Sequence, residues 1–259
     1  IRQTLRSRGV EPLGVDVDRC DITHHIQVAE CFEQLKPSLV INCAAYTNVD
    51  GCEKNVELAN AVNGTGVGHL AEACRARGAT LVHFSTDYVF RGDGAVPCRE
   101  SDPTEPISVY GASKLAGEKL VGAYAPRHFI IRSTGLYGVA GASGKGGNFV
   151  ETMIRLGKAG PVRVVDDQVM TPTATADLAA AVAQLLARQG SAAVPYGTYH
   201  VTSAGQCSWY AFARAIFELC GMTVDLTPIS TAESGSKARR PAFSVLDHGK
   251  WMRAGFAEL

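Results

Sequence analysis

The chain lacks an excess of either charge, a long apolar run and a paired-cysteine motif. Its 25 Lys and Arg balance 25 Asp and Glu, for a formal net charge of +0. A charge so balanced leaves no electrostatic footprint for a nucleic-acid polymer or an anionic membrane. No apolar stretch approaches the roughly 18 to 20 residues that cross a bilayer. The eight cysteines are scattered and none is spaced Cys-x-x-Cys. They read as reduced thiols of a cytoplasmic protein, not as a disulfide framework or a metal site. Ile1 to Gly9 is basic but is followed by no apolar core, so this stretch is not expected to be a signal peptide. It reads instead as the end of a helix capped by Gly9, so the chain is expected to begin inside a fold. Internal repeats and low-complexity linkers are absent as well.

What is present is alternation. Residues 11–17, 38–43, 80–84 and 128–132 are short, strand-like runs. Between and after them, 23–36, 56–77 and 108–124 are helix-like, the second interrupted by glycines. Strands alternating with helices predict right-handed βαβ units. The expected fold class is α/β, a Rossmann-like doubly wound parallel sheet. Residues 135–147 form a Gly-rich stretch, and the second half is less regular. Helices are expected over 149–156, 177–188 and 209–220, and strands over 162–165 and 199–201. The division expected is a dinucleotide-binding core over 1–134 and, over 135–259, mainly a small substrate lobe with elements returning to the core.

The richest chemistry lies at a strand end and on the helix after it. Ser85-Thr86-Asp87-Tyr88 follows the apolar run 80–84, and Tyr110-Gly111-Ala112-Ser113-Lys114 opens the helix 108–124. Residues four apart share a helix face. An ammonium beside a phenol lowers its pKa, and an activated phenol moves a proton during hydride transfer to a carbonyl. On its own, Tyr-x-x-x-Lys is common on solvated faces; the strand-end hydroxyls make it specific here. Thr86 is expected to bond the oxygen that receives the proton, with Asp87 and Tyr88 reaching the substrate and Phe90 packing. The plainer reading of Ser85 and Thr86 is a pair of turn caps.

Other positions are read in that light. Ala44, Ala45, Tyr46 and Thr47 end the strand 38–43, where small residues let a cofactor approach the backbone. Asp16 ends the strand-like run 11–17; an acid there accepts ribose hydroxyls and leans toward NADH over NADPH. A solvated turn is the alternative. Asp21 and Ile22 either flank an adenine or open a helix. Gly64-Thr65-Gly66-Val67-Gly68 imitates a dinucleotide fingerprint but lies inside a helix and follows no strand, so it is rejected. Gly144-Lys145-Gly146 imitates a phosphate loop with the wrong spacing and is read as a loop over the substrate. Arg239-Arg240 either clamps a diphosphate or is a solvated basic turn.

Several strings together resemble the dTDP-4-dehydrorhamnose reductase family of the extended short-chain dehydrogenase/reductases. They are Cys43-Ala44-Ala45-Tyr46-Thr47-Asn48-Val49-Asp50, His83-Phe84-Ser85-Thr86-Asp87-Tyr88-Val89-Phe90 and Val109-Tyr110-Gly111-Ala112-Ser113-Lys114-Leu115-Ala116-Gly117-Glu118. Gly147-Asn148-Phe149-Val150, Val165-Asp166-Asp167-Gln168, Thr171-Pro172-Thr173, Arg240-Pro241 and Ser244-Val245-Leu246-Asp247 continue the match. The resemblance implies reduction of the C4 ketone of dTDP-4-dehydro-6-deoxy-L-mannose to dTDP-L-rhamnose, with NADPH or NADH. It implies that Tyr110 gives the proton, that Lys114 tunes Tyr110 and holds the nicotinamide ribose, and that Thr86 matches proton affinities. It assigns Asp16, Asp21, Ile22, Ala44, Ala45, Tyr46 and Thr47 to the cofactor. Val49, Thr86, Asp87, Tyr88, Gly135, Asn148 and Arg240 fall to the nucleotide-sugar substrate. Members often carry a substrate-contacting Trp where this chain has Gly135. The family also opens with a strand and Gly-rich turn, expected to precede residue 1, and often ends in a helix beyond Phe256. A monomer or homodimer without metal is expected. The alternatives are a non-catalytic subunit on the same fold, like the regulatory subunit of methionine adenosyltransferase, and a sugar-nucleotide epimerase or dehydratase.

Overall fold

The computed structural model describes residues 1–139, 147–192 and 194–259. The reading of Gly144-Lys145-Gly146 as a loop lies outside the described residues. Four parallel strands stand in the order β1 (Leu39–Asn42), β2 (Thr80–Thr86), β3 (His128–Ser133) and β4 (Gly197–His200). Parallel neighbours need crossovers, and helices supply them. α1 (Arg2–Arg6) and α2 (His25–Leu35) precede β1. α3 (Val49–Lys54), α4 (Val56–Asn60) and α5 (Gly66–Arg77) join β1 to β2, and α6 (Val109–Tyr124) joins β2 to β3. α7 (Phe149–Ala159) and α8 (Thr175–Ala187) come before β4. α9 (Trp209–Leu219) and α10 (Gly249–Arg253) follow it.

The pleat sorts side chains between two layers of helix. Val82, Phe129 and Ile131 meet Leu178, Val182 and Leu185 of α8 and Trp251 of α10 on one face. Leu81 and Ile130 meet Val28 and Phe32 of α2, Val67 and Leu70 of α5 and Val121 of α6 on the other. Both faces are thus covered by helices, which is the expected Rossmann-like doubly wound α/β arrangement. A separate apolar cluster joins Met153 of α7 to Ala213, Ile216 and Phe217 of α9. It rests on a parallel ribbon of Val162–Val165 and Leu226–Ile229. β4, α8 and α10, although late in the chain, belong to the main sheet's layers.

Two local expectations need comment. Residues 11–17 are not a strand: 11–16 have no regular structure, and Leu13, Val15 and Val17 are 63%, 39% and 65% exposed. A strand is defined by a partner as much as by its pattern, and no described residue ladders with this run. By contrast, the Gly9 cap forms. Gly9 has φ +77°, Val10 N–H donates to Leu5 C=O and Gly9 N–H to Arg6 C=O, the pair of bonds that closes a Schellman turn.

Candidate active site

The C-terminal end of β2 runs straight into a single 3-10 turn, Asp87–Val89. Thr86 Oγ1 accepts the Tyr88 N–H at 3.2 Å and so caps that turn. α6 begins against it. Ser108 Oγ accepts the Gly111 N–H at 3.2 Å as N-cap. A Cβ on Gly111 would lie far inside van der Waals contact with the Tyr88 carbonyl, so only glycine brings α6 this close to the turn. The glycine of Tyr110-Gly111-Ala112-Ser113-Lys114 is thus a packing requirement of the site.

That approach stacks Tyr110 edge-on against Tyr88, with ring centroids 5.7 Å apart. Thr86 Oγ1 donates to Asp87 Oδ1 at 2.8 Å, and Thr134 Oγ1 donates to Asp87 Oδ2 at 2.9 Å. Ser244 also bonds the Asp87 carboxyl. Burial pushes the Asp87 pKa up to about 6 against these three hydroxyls. Thr86 sends its proton to Asp87, and its hydroxyl acts on Tyr110 closely enough to oppose the upward push of burial on the phenol. The plainer reading of Thr86 as a turn cap is correct; the same hydroxyl also donates to Asp87.

Lys114 departs from the expectation. Its Nζ donates to Phe84 C=O at 2.6 Å and lies 3.4 Å from His83 Nε2. The ammonium does not depress the Tyr110 pKa here. Burial first, and the Asp87 carboxylate second, hold it above the ordinary phenol value. Lys114 shares Tyr110's helix face but is only 2% exposed and turns down onto β2. Burial lowers its own pKa to about 8.

A second cluster ties the end of β1 to α6. The break in the helix over 56–77 is a π-turn, Ala61–Thr65, with Asn63 wholly buried inside it. Asn63 Oδ1 accepts from Tyr46 N–H at 2.8 Å, and Nδ2 donates to Tyr46 C=O at 2.9 Å and Ser113 Oγ at 3.0 Å. The segment 44–47 is therefore pinned to the helix that carries Tyr110 and Lys114. π-turns are rare and gather at functional sites. Asn63 was missed in the sequence. Its signal was an amide beside glycine in mid-helix, where both residues are poor helix formers.

The model of the RmlD substrate binding domain matches residues 1–259. The chain belongs to that family. It is 43% identical over 258 residues to a dTDP-4-dehydrorhamnose reductase of Streptomyces griseus, covering 98% of this chain and 83% of that one. It is 41% identical over 252 residues to the spore coat polysaccharide biosynthesis protein SpsK of Bacillus subtilis, at 97% and 85% coverage. A crystal structure of dTDP-4-dehydrorhamnose reductase from Bacillus anthracis, in complex with NADP, superposes with a TM-score of 0.92 at 39% identity. That superposition covers 99% of this chain and 89% of the other.

The remaining residues of this RmlD-family chain are placed as follows. Asp16 is exposed and bonds only locally, its Oδ1 accepting Val17 N–H at 2.8 Å. Asp21 Oδ1 accepts the Thr23 N–H and hydroxyl at 2.9 and 2.8 Å in the turn before α2, whose N-cap is His24 and whose first turn holds no acid. Ile22 C=O lies 2.9 Å from His69 Nδ1 on α5. Among the described residues, no hydrogen bond joins these three to Tyr110 or Lys114. Val49 opens α3 and is partly exposed. Arg240 is not a free clamp: its Nη2 bonds Asp50 Oδ2 at 2.6 Å, because Asp50 also receives the Lys237 and Ala238 N–H groups and draws the whole segment in. Arg239 is exposed.

Gly135 and Asn148 both serve the fold as well. Gly135 has φ +59°, and a Cβ would lie 2.6 Å from Thr171 C=O. This backbone leaves no room for the aromatic wall that members often carry, and Gly135 offers no side chain to a substrate. Asn148 caps α7: it accepts Glu151 N–H at 3.1 Å and donates to Gly138 C=O at 2.6 Å. These bonds use one N–H and one lone pair of its amide, and one of each remains. A fit for a bound cofactor is visible elsewhere. Among the described residues Ser85 Oγ is buried without a hydrogen-bond partner, on the same side of β2 as His83 by strand alternation. An orphaned hydroxyl beside Lys114 and the small-residue segment 44–47 suits a polar ligand at this strand end.

Proposed function

We propose that this chain reduces the C4 ketone of a nucleotide-linked 6-deoxysugar, dTDP-4-dehydrorhamnose to dTDP-L-rhamnose, in dTDP-rhamnose biosynthesis. The observation that carries the reading is the cluster at one strand end, Tyr110 edge-on to Tyr88 beside the Thr86–Asp87 hydrogen bond with Lys114 buried onto the same strand, in a chain the family model spans end to end. Relatives named for this activity, and one solved with NADP, support NADPH or NADH as the reductant.

When bound, the nicotinamide cofactor supplies the hydride. The chain's own residues do the rest. Tyr110 is kept neutral by burial and by Asp87, so it holds the proton that the sugar oxygen takes as its charge grows. An alkoxide is a stronger base than even a buried phenolate, so the raised pKa suits a donor and does not hinder transfer. Thr86 orients that proton, and Asp87, fixed by Thr134, orients Thr86. Lys114 holds the nicotinamide ribose. Ala44, Ala45, Tyr46, Thr47, Asp16, Asp21 and Ile22 serve the cofactor, mainly within 1–134. Tyr88, Val49 and Arg240 line the sugar-nucleotide side, together with the lobe of 135–259. The protein works in the cytoplasm as a monomer or homodimer.

The test is NADPH oxidation with dTDP-4-dehydrorhamnose, measured beside product formation. One cofactor should be consumed per sugar reduced, and Tyr110→Phe should lower kcat about 100-fold or more while the fold survives. A pure binding subunit would consume none, and an epimerase or dehydratase would show no net oxidation. Wild-type turnover in Tyr110→Phe would contradict the mechanism.

A further inference from the structure

Beneath Lys114 lies a buried chain that the mechanism above leaves unused. Asn42 ends β1, and His83 is its register partner on β2. Asn42, His83 and Lys114 are 5%, 0% and 2% exposed. Asn42 Nδ2 lies 3.1 Å from His83 Nδ1, and His83 Nε2 lies 3.4 Å from Lys114 Nζ.

One backbone group sets the direction of every bond in it. Ala44 N–H donates to Asn42 Oδ1 at 3.0 Å. The amide must therefore turn its oxygen to Ala44 and its NH2 to the imidazole. That NH2 can only donate, so His83 Nδ1 accepts and carries no proton. Burial first, and Lys114 second, hold the His83 pKa well below its ordinary value, so the ring is neutral. A neutral imidazole has one N–H, and here it is Nε2–H, facing Nζ. An ammonium has three donors and no acceptor, so it opposes Nε2–H. A neutral amine accepts from Nε2–H while still donating to Phe84 C=O. The pocket suits the amine better than the ammonium.

We propose that Asn42 and His83 are positioning residues for Lys114: Asn42 locks the imidazole tautomer, and the locked Nε2–H eases loss of the Lys114 proton. The proposal rests on the reductase reading and makes Lys114 a group whose charge changes in the working range, not a fixed cation. The groups facing Lys114 are few. On its own helix stands Glu118; after β1 stands Cys43; on β2 stand His83 and the Phe84 carbonyl. Glu118 and Cys43 favour the ammonium, but Glu118 is already paired with Arg132 of β3 at 2.6 Å. Burial outweighs both and brings Lys114 to about 8. The His83 donor acts in the same direction as burial.

The experiment uses two variants and three readouts. Asn42→Asp offers one oxygen to Ala44 N–H and the other to a protonated Nδ1, which reverses the tautomer. His83→Phe removes the opposing donor and adds no charge. Imidazole 15N NMR reports the tautomer, the Lys114 13Cε shift reports its titration, and the pH profile of kcat reports the consequence. In the wild type, Nδ1 should be unprotonated and Lys114 should titrate well below an ordinary amine. Both variants should raise the Lys114 midpoint and the alkaline limb of kcat by about one unit. A wild-type His83 protonated at Nδ1 would overturn the proposal, as would a Lys114 midpoint unmoved in His83→Phe. If a variant fails to fold, the wild-type spectra still decide the tautomer. Absence of turnover at every pH would sink the reductase reading alone, because the two NMR readouts need no turnover.

Discussion

Asp87 shows how one side chain can carry both the electrostatics and the instability of a site. Its carboxyl is 3% exposed and held by Thr86, Thr134 and Ser244. Its folded pKa, about 6, lies above the roughly 3.9 of an unfolded Asp. The folded state therefore binds a proton that the unfolded state does not. The stabilisation is full below the unfolded value and is lost as pH rises through about 6. Asp87→Asn has no such titration. Urea melts of both proteins from pH 7 to pH 4 should show the wild type gaining on the variant as pH falls; a constant difference would contradict the burial argument. The strand end with Thr86 and the helix with Tyr110 and Lys114 were legible, because they sit in short strings whose spacing is local. The direction in which Lys114 points was not. It depends on Phe84 C=O and His83, which only strand pairing brings beneath α6.

At the scale of the element, the site depends on how closely α6 can approach the turn after β2. Gly111→Ala forces a methyl group against the Tyr88 carbonyl. It should destabilise the protein by about 1 to 3 kcal/mol, as overpacking does elsewhere, and should lower kcat by displacing Tyr110. Thermal denaturation and steady-state kinetics check both halves; unchanged stability would mean that α6 shifts freely. The helix placements were mostly legible from period and caps, and Gly64 to Gly68 proves to lie within helical turns, in the π-turn and α5, as its lack of a preceding strand indicated. The π-turn around Asn63 was not legible. Its bonds run to Tyr46 and Ser113, far apart in sequence, and no helical period records them. The strand expected over 11–17 failed for a related reason: an apolar pattern specifies a face, whereas a strand also needs a partner for its backbone.

Across the whole molecule, the two layers of helix hold a sheet whose strand ends carry the chemistry, as open α/β sheets do. The late segments matter to the early ones. Asp50 at the start of α3 gathers Ser236, Lys237, Ala238 and Arg240, and Ser244 reaches Asp87. The sequence marked Arg240 as a clamp for an anion, and the structure already gives it a carboxylate. That pairing spans nearly two hundred positions and left no local trace. What the sequence did make legible at this scale is the reaction class, because hydroxyl, phenol and amine together point to carbonyl reduction. The most direct measurement of that claim follows an isotope. With NADPH carrying deuterium at the transferred position of C4 and dTDP-4-dehydrorhamnose as substrate, the account predicts dTDP-rhamnose with deuterium at sugar C4, one per NADPH oxidised. A product without label at C4, or turnover with no net loss of NADPH, would contradict it.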